Sequence, residues 1–205
     1  MAVEVMLPDS ARAEVTDTYL PRGRALNGFG DSVAAQLYWS SLDTAIIAVL
    51  DSATGVSLAK AVGTGRLQAR VDALRSNPQN VAVLTKLDSL VVNGPTRDTV
   101  TLLPDTAGNV DSLSVALQVQ AFASPVVPAG RPVVYAATTF PASGPVVTLV
   151  PTGSVLTSAT GVANVRLRLL AGAIPDSVVV TATMQRPDGT AIPGSPVTFV
   201  VEFGP

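Results

Sequence analysis

Three sets of side chains in the 205-residue chain have types and spacings that could do chemistry. Ser57-Leu58-Ala59-Lys60 has the S-x-x-K spacing of a serine nucleophile with its lysine. That pair needs one helical turn to bring lysine onto serine; in a strand, residues three apart point to opposite faces. The four residues lie in a short apolar run closed by turn residues, which predicts a strand and no catalytic pair. Asp43 and Asp51 bracket the apolar stretch 46–50, and paired carboxylates are the equipment of glycoside hydrolysis. Both stand at turn positions, where aspartate hydrogen-bonds its own backbone, and that is the expected role. Asp105, Asn109 and Asp111 share one loop with Gly108, the make-up of a weak calcium site. The spacing is not that of an EF-hand and no glutamate follows, so a backbone-bonded turn is expected and calcium is the weaker candidate. Histidine and cysteine are absent, which removes imidazole catalysis and the usual soft metal ligands. No cofactor is implied.

Recognition side chains are sparse. Arg66 with Arg70, and Arg166 with Arg168, make short rows of the kind that dress a solvent face and protect a sheet edge. Tyr38, Tyr19 and Phe29 are candidates for a sugar-stacking platform, with polysaccharide as a possible ligand, but aromatics are only 4% of the chain and packing roles are expected for them. The net charge is −2, from 13 basic and 15 acidic residues, and no basic block exists, so nucleic acid is not an expected partner. Residues 132–165 carry no charge, yet proline, glycine and threonine interrupt them every few residues, so no membrane insertion is expected. Residues 1–7 contain Glu4 and lack the apolar core of a signal peptide; a removed leader or another route of export is expected.

The elements that would position these groups are strands. Apolar residues are 47% of the chain and are carried by Val, Ala and Leu; Gly and Pro, 16 of each, punctuate its whole length. Leu67, Ala69 and Val71 alternate with Arg66, Gln68 and Arg70. The same alternation runs through Leu113, Val115, Leu117, Val119 and Ala121, through Ala163, Val165, Leu167 and Leu169, and through Val197, Phe199, Val201 and Phe203. One-sided faces need a covering sheet, which predicts sandwiches. Residues 46–50 read as a central strand, and Ala35, Leu37 and Trp39 as one face of another. Trp39, the only tryptophan, is the expected centre of the first core, with Leu37 beside it; Val165, Leu167 and Phe199 are expected in the second. Almost no helix is expected.

Trp39-Ser40-Ser41-Leu42-Asp43, then residues 46–51, then Gly55-Val56, then Gly63-Thr64-Gly65 resemble the group 2 bacterial immunoglobulin-like domain in order and spacing. Leu42 stands where that family has small polar residues, and Gly65 where it has alanine. Ala129-Gly130-Arg131-Pro132-Val133, Thr160-Gly161-Val162-Ala163 and Pro175-Asp176-Ser177-Val178 resemble, more loosely, the invasin-like group 1 domain over residues 89–205. The resemblance implies two tandem immunoglobulin-like β-sandwiches, at residues 1–86 and 87–205, joined by a short linker at Lys86-Leu87-Asp88. It implies a non-catalytic stalk, spacer or adhesion module on a bacterial surface or outside the cell. The alternative is a self-assembling subunit of a filament, surface layer or virion. There an end strand, either Val3, Val5 and Leu7 or the closing strand to Phe203, would pair with a protein partner or another copy along a sheet edge.

Overall fold

The computed structural model describes residues 1–101, 113–142, 146–170 and 173–204. The chain is all-β, built as two immunoglobulin-like β-sandwich units; apart from strands, the described residues hold one short 3-10 turn, Asp9–Ala11. One unit comprises Met1–Lys86 with Arg186–Thr190, the other Leu87–Gln185 with Ala191–Pro205.

The first unit contains β1 (Ala2–Met6), β2 (Arg12–Glu14), β3 (Thr18–Tyr19), β4 (Arg22–Leu26), β5 (Ser32–Val33) and β6 (Tyr38–Ser41). It continues with β7 (Ile47–Val49), β8 (Ser57–Ala59), β9 (Gly63–Val71), β10 (Leu74–Arg75) and β11 (Gln79–Leu84). One sheet runs β10-β9-β11-β2, with β6 also on β9 and β2 parallel to β11. The facing strands form the orders β1-β4-β5 and β3-β8-β7. Only Leu20 and Pro21 separate β3 from β4, and a proline has no N–H to give a ladder. Taken as one interrupted strand, they give the order β1-β4/β3-β8-β7 against β2-β11-β9-β6, which is the immunoglobulin arrangement.

Alternation decides which face each strand buries. Along β9 the residues Gly65, Leu67, Ala69 and Val71 face inward while Arg66 and Arg70 face out. Leu67 enters a core that also holds Ala13, Tyr19, Ile47, Ala59, Val81 and Val83, drawn from both sheets. Full burial of such aliphatic side chains contributes about 1.5–3 kcal/mol each. Gly65 is required here, because a Cβ would run into Ile47 Cγ2.

Three expectations for this unit are corrected. Trp39 is buried, at 5% exposure, but lies outside that cluster: a Cβ on Gly55 would sit 2.9 Å from its Cδ1, and one on Gly23 3.2 Å from its Cζ2. The indole is thus packed flat against glycine backbone at the flank of the core. Leu37 is only half-buried and precedes β6, so Ala35, Leu37 and Trp39 do not share a strand. The apolar stretch 46–50 is a three-residue strand at the end of its ladder, with Leu50 exposed in the following turn.

The second unit contains β12 (Leu87–Val92), β13 (Arg97–Thr101), β14 (Leu117–Ala123), β15 (Pro132–Phe140) and β16 (Val147–Val150). It ends with β17 (Ser154–Leu156), β18 (Val162–Leu169), β19 (Ser177–Thr183) and β20 (Val197–Gly204). Its sheets run β12-β14-β18-β16 and β13-β20-β19-β15-β17, again the immunoglobulin order, with β13 parallel to β20. Val165, Leu167 and Phe199 lie in its core with Leu117, Val119, Tyr135 and Val180. Tyr135 donates its hydroxyl to Ala163 O at 2.9 Å, and burial pushes its phenol well above the usual range.

Here too the structure departs from the sequence reading. Leu87 is fully buried and opens β12, pairing with Ala123, so Lys86-Leu87-Asp88 is not a linker. The alternation from Leu113 changes phase before Leu117: Leu113 and Val115 are exposed, and Ser114 turns inward, its Oγ accepting the Leu167 N–H at 2.8 Å. The closing strand β20 is central, bonded to β13 on one side and β19 on the other, so it offers no free edge to a neighbour.

Candidate interaction surface

Ser57 is buried in β8 and donates to Gly55 O at 2.8 Å, whereas Lys60 follows the strand and is exposed. The strand geometry therefore keeps nucleophile and base apart. Asp43 caps the start of the adjacent turn and clasps Arg66: Oδ2 accepts from the Arg66 backbone N–H at 2.9 Å and from Nε at 2.8 Å, and Oδ1 from Nη2 at 3.0 Å. Bonding to Arg66 holds its carboxyl below the usual range. Asp51 accepts from Thr54 Oγ1 at 2.6 Å and Ala53 N–H at 2.9 Å, which lowers its carboxyl likewise. Asp51 is thus engaged in local turn bonding, as expected, whereas the Asp43 carboxylate does not bond its own turn and is spent on Arg66 of β9, 23 residues away. Asp105, Asn109 and Asp111 lie outside the described residues. Among the described residues no cluster of three carboxylates could hold a metal ion.

The aromatic trio does not converge on one platform. Tyr19 is buried and donates its hydroxyl to Pro8 O at 2.9 Å. Tyr38 is paired across the ladder with Arg70, whose guanidinium sits 5.2 Å from the ring centroid. Phe29 is 94% exposed in the β4–β5 loop. Beside Trp39 an open groove of about 470 Å³ is lined by Met6, Arg22, Gly23 and Leu37 among others. Arg22 is exposed at its rim.

Sheet edges are the other surface a partner could use. In β1, Val3 pairs with Ala25 and Val5 with Gly23, so one side of the strand is spent on β4. Leu7 lies past the strand and packs on the first core. The outer side of β1 has no strand partner among the described residues. The Glu4–Arg24 ion pair joins this strand to its neighbour on the exposed face.

One buried ion pair has no local signal in the sequence. Glu14 in β2 is wholly buried in the first unit, with Arg186 Nε 3.6 Å from its carboxylate. The partners are so far apart in the chain that no motif could join them. Among the described residues no helix is long and apolar enough to cross a membrane.

No protein-family model matches the chain, and no curated protein matches it in sequence. Among solved structures it is similar to the Yersinia pseudotuberculosis adhesin InvE, with 16% identity and a TM-score of 0.44 over 98% of this chain. The chain spans 59% of that adhesin's length. It is also similar to the fibronectin(III)-like modules of Clostridium thermocellum CbhA, with 12% identity and a TM-score of 0.47 over 98% of this chain and 93% of that one. Domains 4 and 5 of the S-layer protein SbsC give 13% identity and a TM-score of 0.34 over 92% and 82%. The assignment to the immunoglobulin-like class stands on the strand order and pairing of each unit, which are those the resemblance in the sequence implies.

Proposed function

We propose that the chain is a non-catalytic structural or adhesion module of a bacterial surface or secreted protein, made of two domains at residues 1–86 and 87–205, and acting through protein contact. One observation carries this reading. The titratable and nucleophilic side chains with catalytic spacing are already engaged: Asp43 on Arg66 of β9, and Asp51 and Ser57 in local turns on Thr54 and Gly55. A convergent set of nucleophile, base and orienting group is what an active site needs, and these bonds pull the candidates apart. Such folds host many functions, so the reading is tested on the side chains themselves. Ser57→Ala and Lys60→Ala are expected to leave the fold and any measured biological role unchanged. Loss of a hydrolase activity in both variants, with circular dichroism unaltered, overturns the reading.

A second reading, a subunit of a filament, surface layer or virion joined by strand addition, is favoured by the outer side of β1. A free peptide copying residues 1–7, added in excess, would compete for that edge. Assemblies that persist unchanged in its presence exclude this route.

A further inference from the structure

We propose that Phe29 is an anchor for a second copy of this chain, seating head to tail in the partner's groove beside Trp39 and Arg22. The site goes beyond the module reading above and does not depend on it.

The loop that carries Phe29 is held rigid by its own polar groups. Asn27 Oδ1 accepts the backbone N–H of Phe29 at 2.8 Å and that of Asp31 at 3.0 Å. The Asn27 N–H donates to Asp31 O at 2.9 Å, and the Gly30 N–H to Asn27 O at 3.2 Å. Asn27 Nδ2 also donates to Asp31 Oδ2 at 3.2 Å. A Cβ added to Gly28 or Gly30 would meet nothing within 4 Å, so the loop stands clear of the rest of the chain. The result is a large apolar ring displayed on a pinned loop with a carboxylate two residues away. Rigid display lowers the ordering cost of binding, and aromatic anchors of this kind dominate protein interfaces.

The receptor is at the other end of the same strand. Arg22 and Gly23 open β4 and line the groove; the Phe29 loop follows Leu26, which closes it. Four residue steps at about 3.3 Å each put roughly 13 Å between them, beyond the reach of a phenylalanine side chain. A molecule therefore cannot fill its own groove with its own Phe29. The groove offers the apolar walls of Met6, Leu37 and Trp39, with room for a ring in its cavity of about 470 Å³. Among the described residues Arg22 makes no ion pair. A second copy would bring the Asp31 carboxylate to that guanidinium as its Phe29 enters. Knob and groove are different patches; set head to tail with a rotation that closes no ring, the contact is heterologous and propagates into an open chain of molecules.

Sedimentation equilibrium of the full chain over a concentration series tests this. The wild type is expected to gain mass with concentration and to show no closed stoichiometry. Phe29→Ala, which removes an exposed side chain and leaves the melting curve unchanged, is expected to weaken association by about 30-fold or more, the effect of truncating an anchor. Asp31→Arg and Arg22→Glu should each weaken it, and the chain carrying both should recover it. A wild type that stays monomeric throughout overturns the proposal and leaves the module reading intact. Association untouched by Phe29→Ala also overturns it and points to another surface, such as the β1 edge. Failure of the charge swap to restore association rules out this groove as the receptor, and the proposal falls with it.

Discussion

Asp43 shows how a residue with catalytic credentials becomes a structural one. Its carboxylate satisfies a backbone N–H and a guanidinium fork at once, and bonds of this charge-assisted kind favour the ionised form. The folded carboxyl therefore titrates below its unfolded counterpart. The stability it contributes is present above the unfolded value of about 4 and is lost as pH falls through the folded one. Asp43→Asn is expected to flatten the fall of melting temperature on the acid side, measured by calorimetry below about pH 5. Trp39 belongs to the same scale. Its ring is wedged against the backbone of Gly55 and Gly23, so truncation leaves a gap that backbone cannot close. Trp39→Ala should cost about 3–5 kcal/mol in urea unfolding, with the loss confined to the transition of the first unit.

At the scale of elements, the ends of the chain behave differently from one another. β20 is locked between β13 and β19, and a strand bonded on both sides cannot be lent to a neighbour. Among the described residues β1 is bonded on one side only, by five register pairs to β4, with Val3 and Val5 half-buried against the unit. Deleting residues 1–7 removes that ladder and the Leu7 contact with the core. The first unit is expected to lose about 3 kcal/mol and to melt several degrees earlier, since about 1.5–3 kcal/mol attends each fully buried aliphatic side chain. Unchanged melting of the truncated protein would show that the strand does not contribute to its own unit.

Over the whole molecule, the two cores share no residues. One is drawn from Ala13 to Val83 and the other from Leu87 to Val201. A fragment of residues 87–205 is therefore expected to fold alone with a cooperative transition. A fragment of residues 1–86 keeps its core but loses Arg186, the cation beside the buried Glu14 carboxylate. It is expected to be about 3 kcal/mol less stable than the same unit in the full chain, because one member of a buried pair has been removed. Chemical denaturation of both fragments beside the intact protein measures the difference. Equal stability of the short fragment would show that the Arg186 contact is dispensable.

The class of the fold is legible in the chain before folding, because local chemistry carries it. Period-two patterning in β9, β18 and β20 decides which face is buried, and glycine, proline and aspartate decide where the chain turns. Local chemistry also determined that Ser57 and Lys60 would not meet, since strand geometry forbids it at that spacing. Pairing at a distance emerges only in the folded chain. Nothing within residues 46–50 says whether they lie in the middle or at the end of a sheet; that depends on β8 on one side and, among the described residues, on the lack of a further ladder on the other. The phase of residues 113–117 was set by Ser114 bonding β18, a contact 53 residues away. Gly65 is glycine because Ile47 from the facing sheet fills its Cβ space, and Glu14 can be buried because Arg186 comes to it. Each of these is a contact between segments remote in the chain, where burial and partner choice are properties of the assembled fold and leave no periodic mark in the sequence.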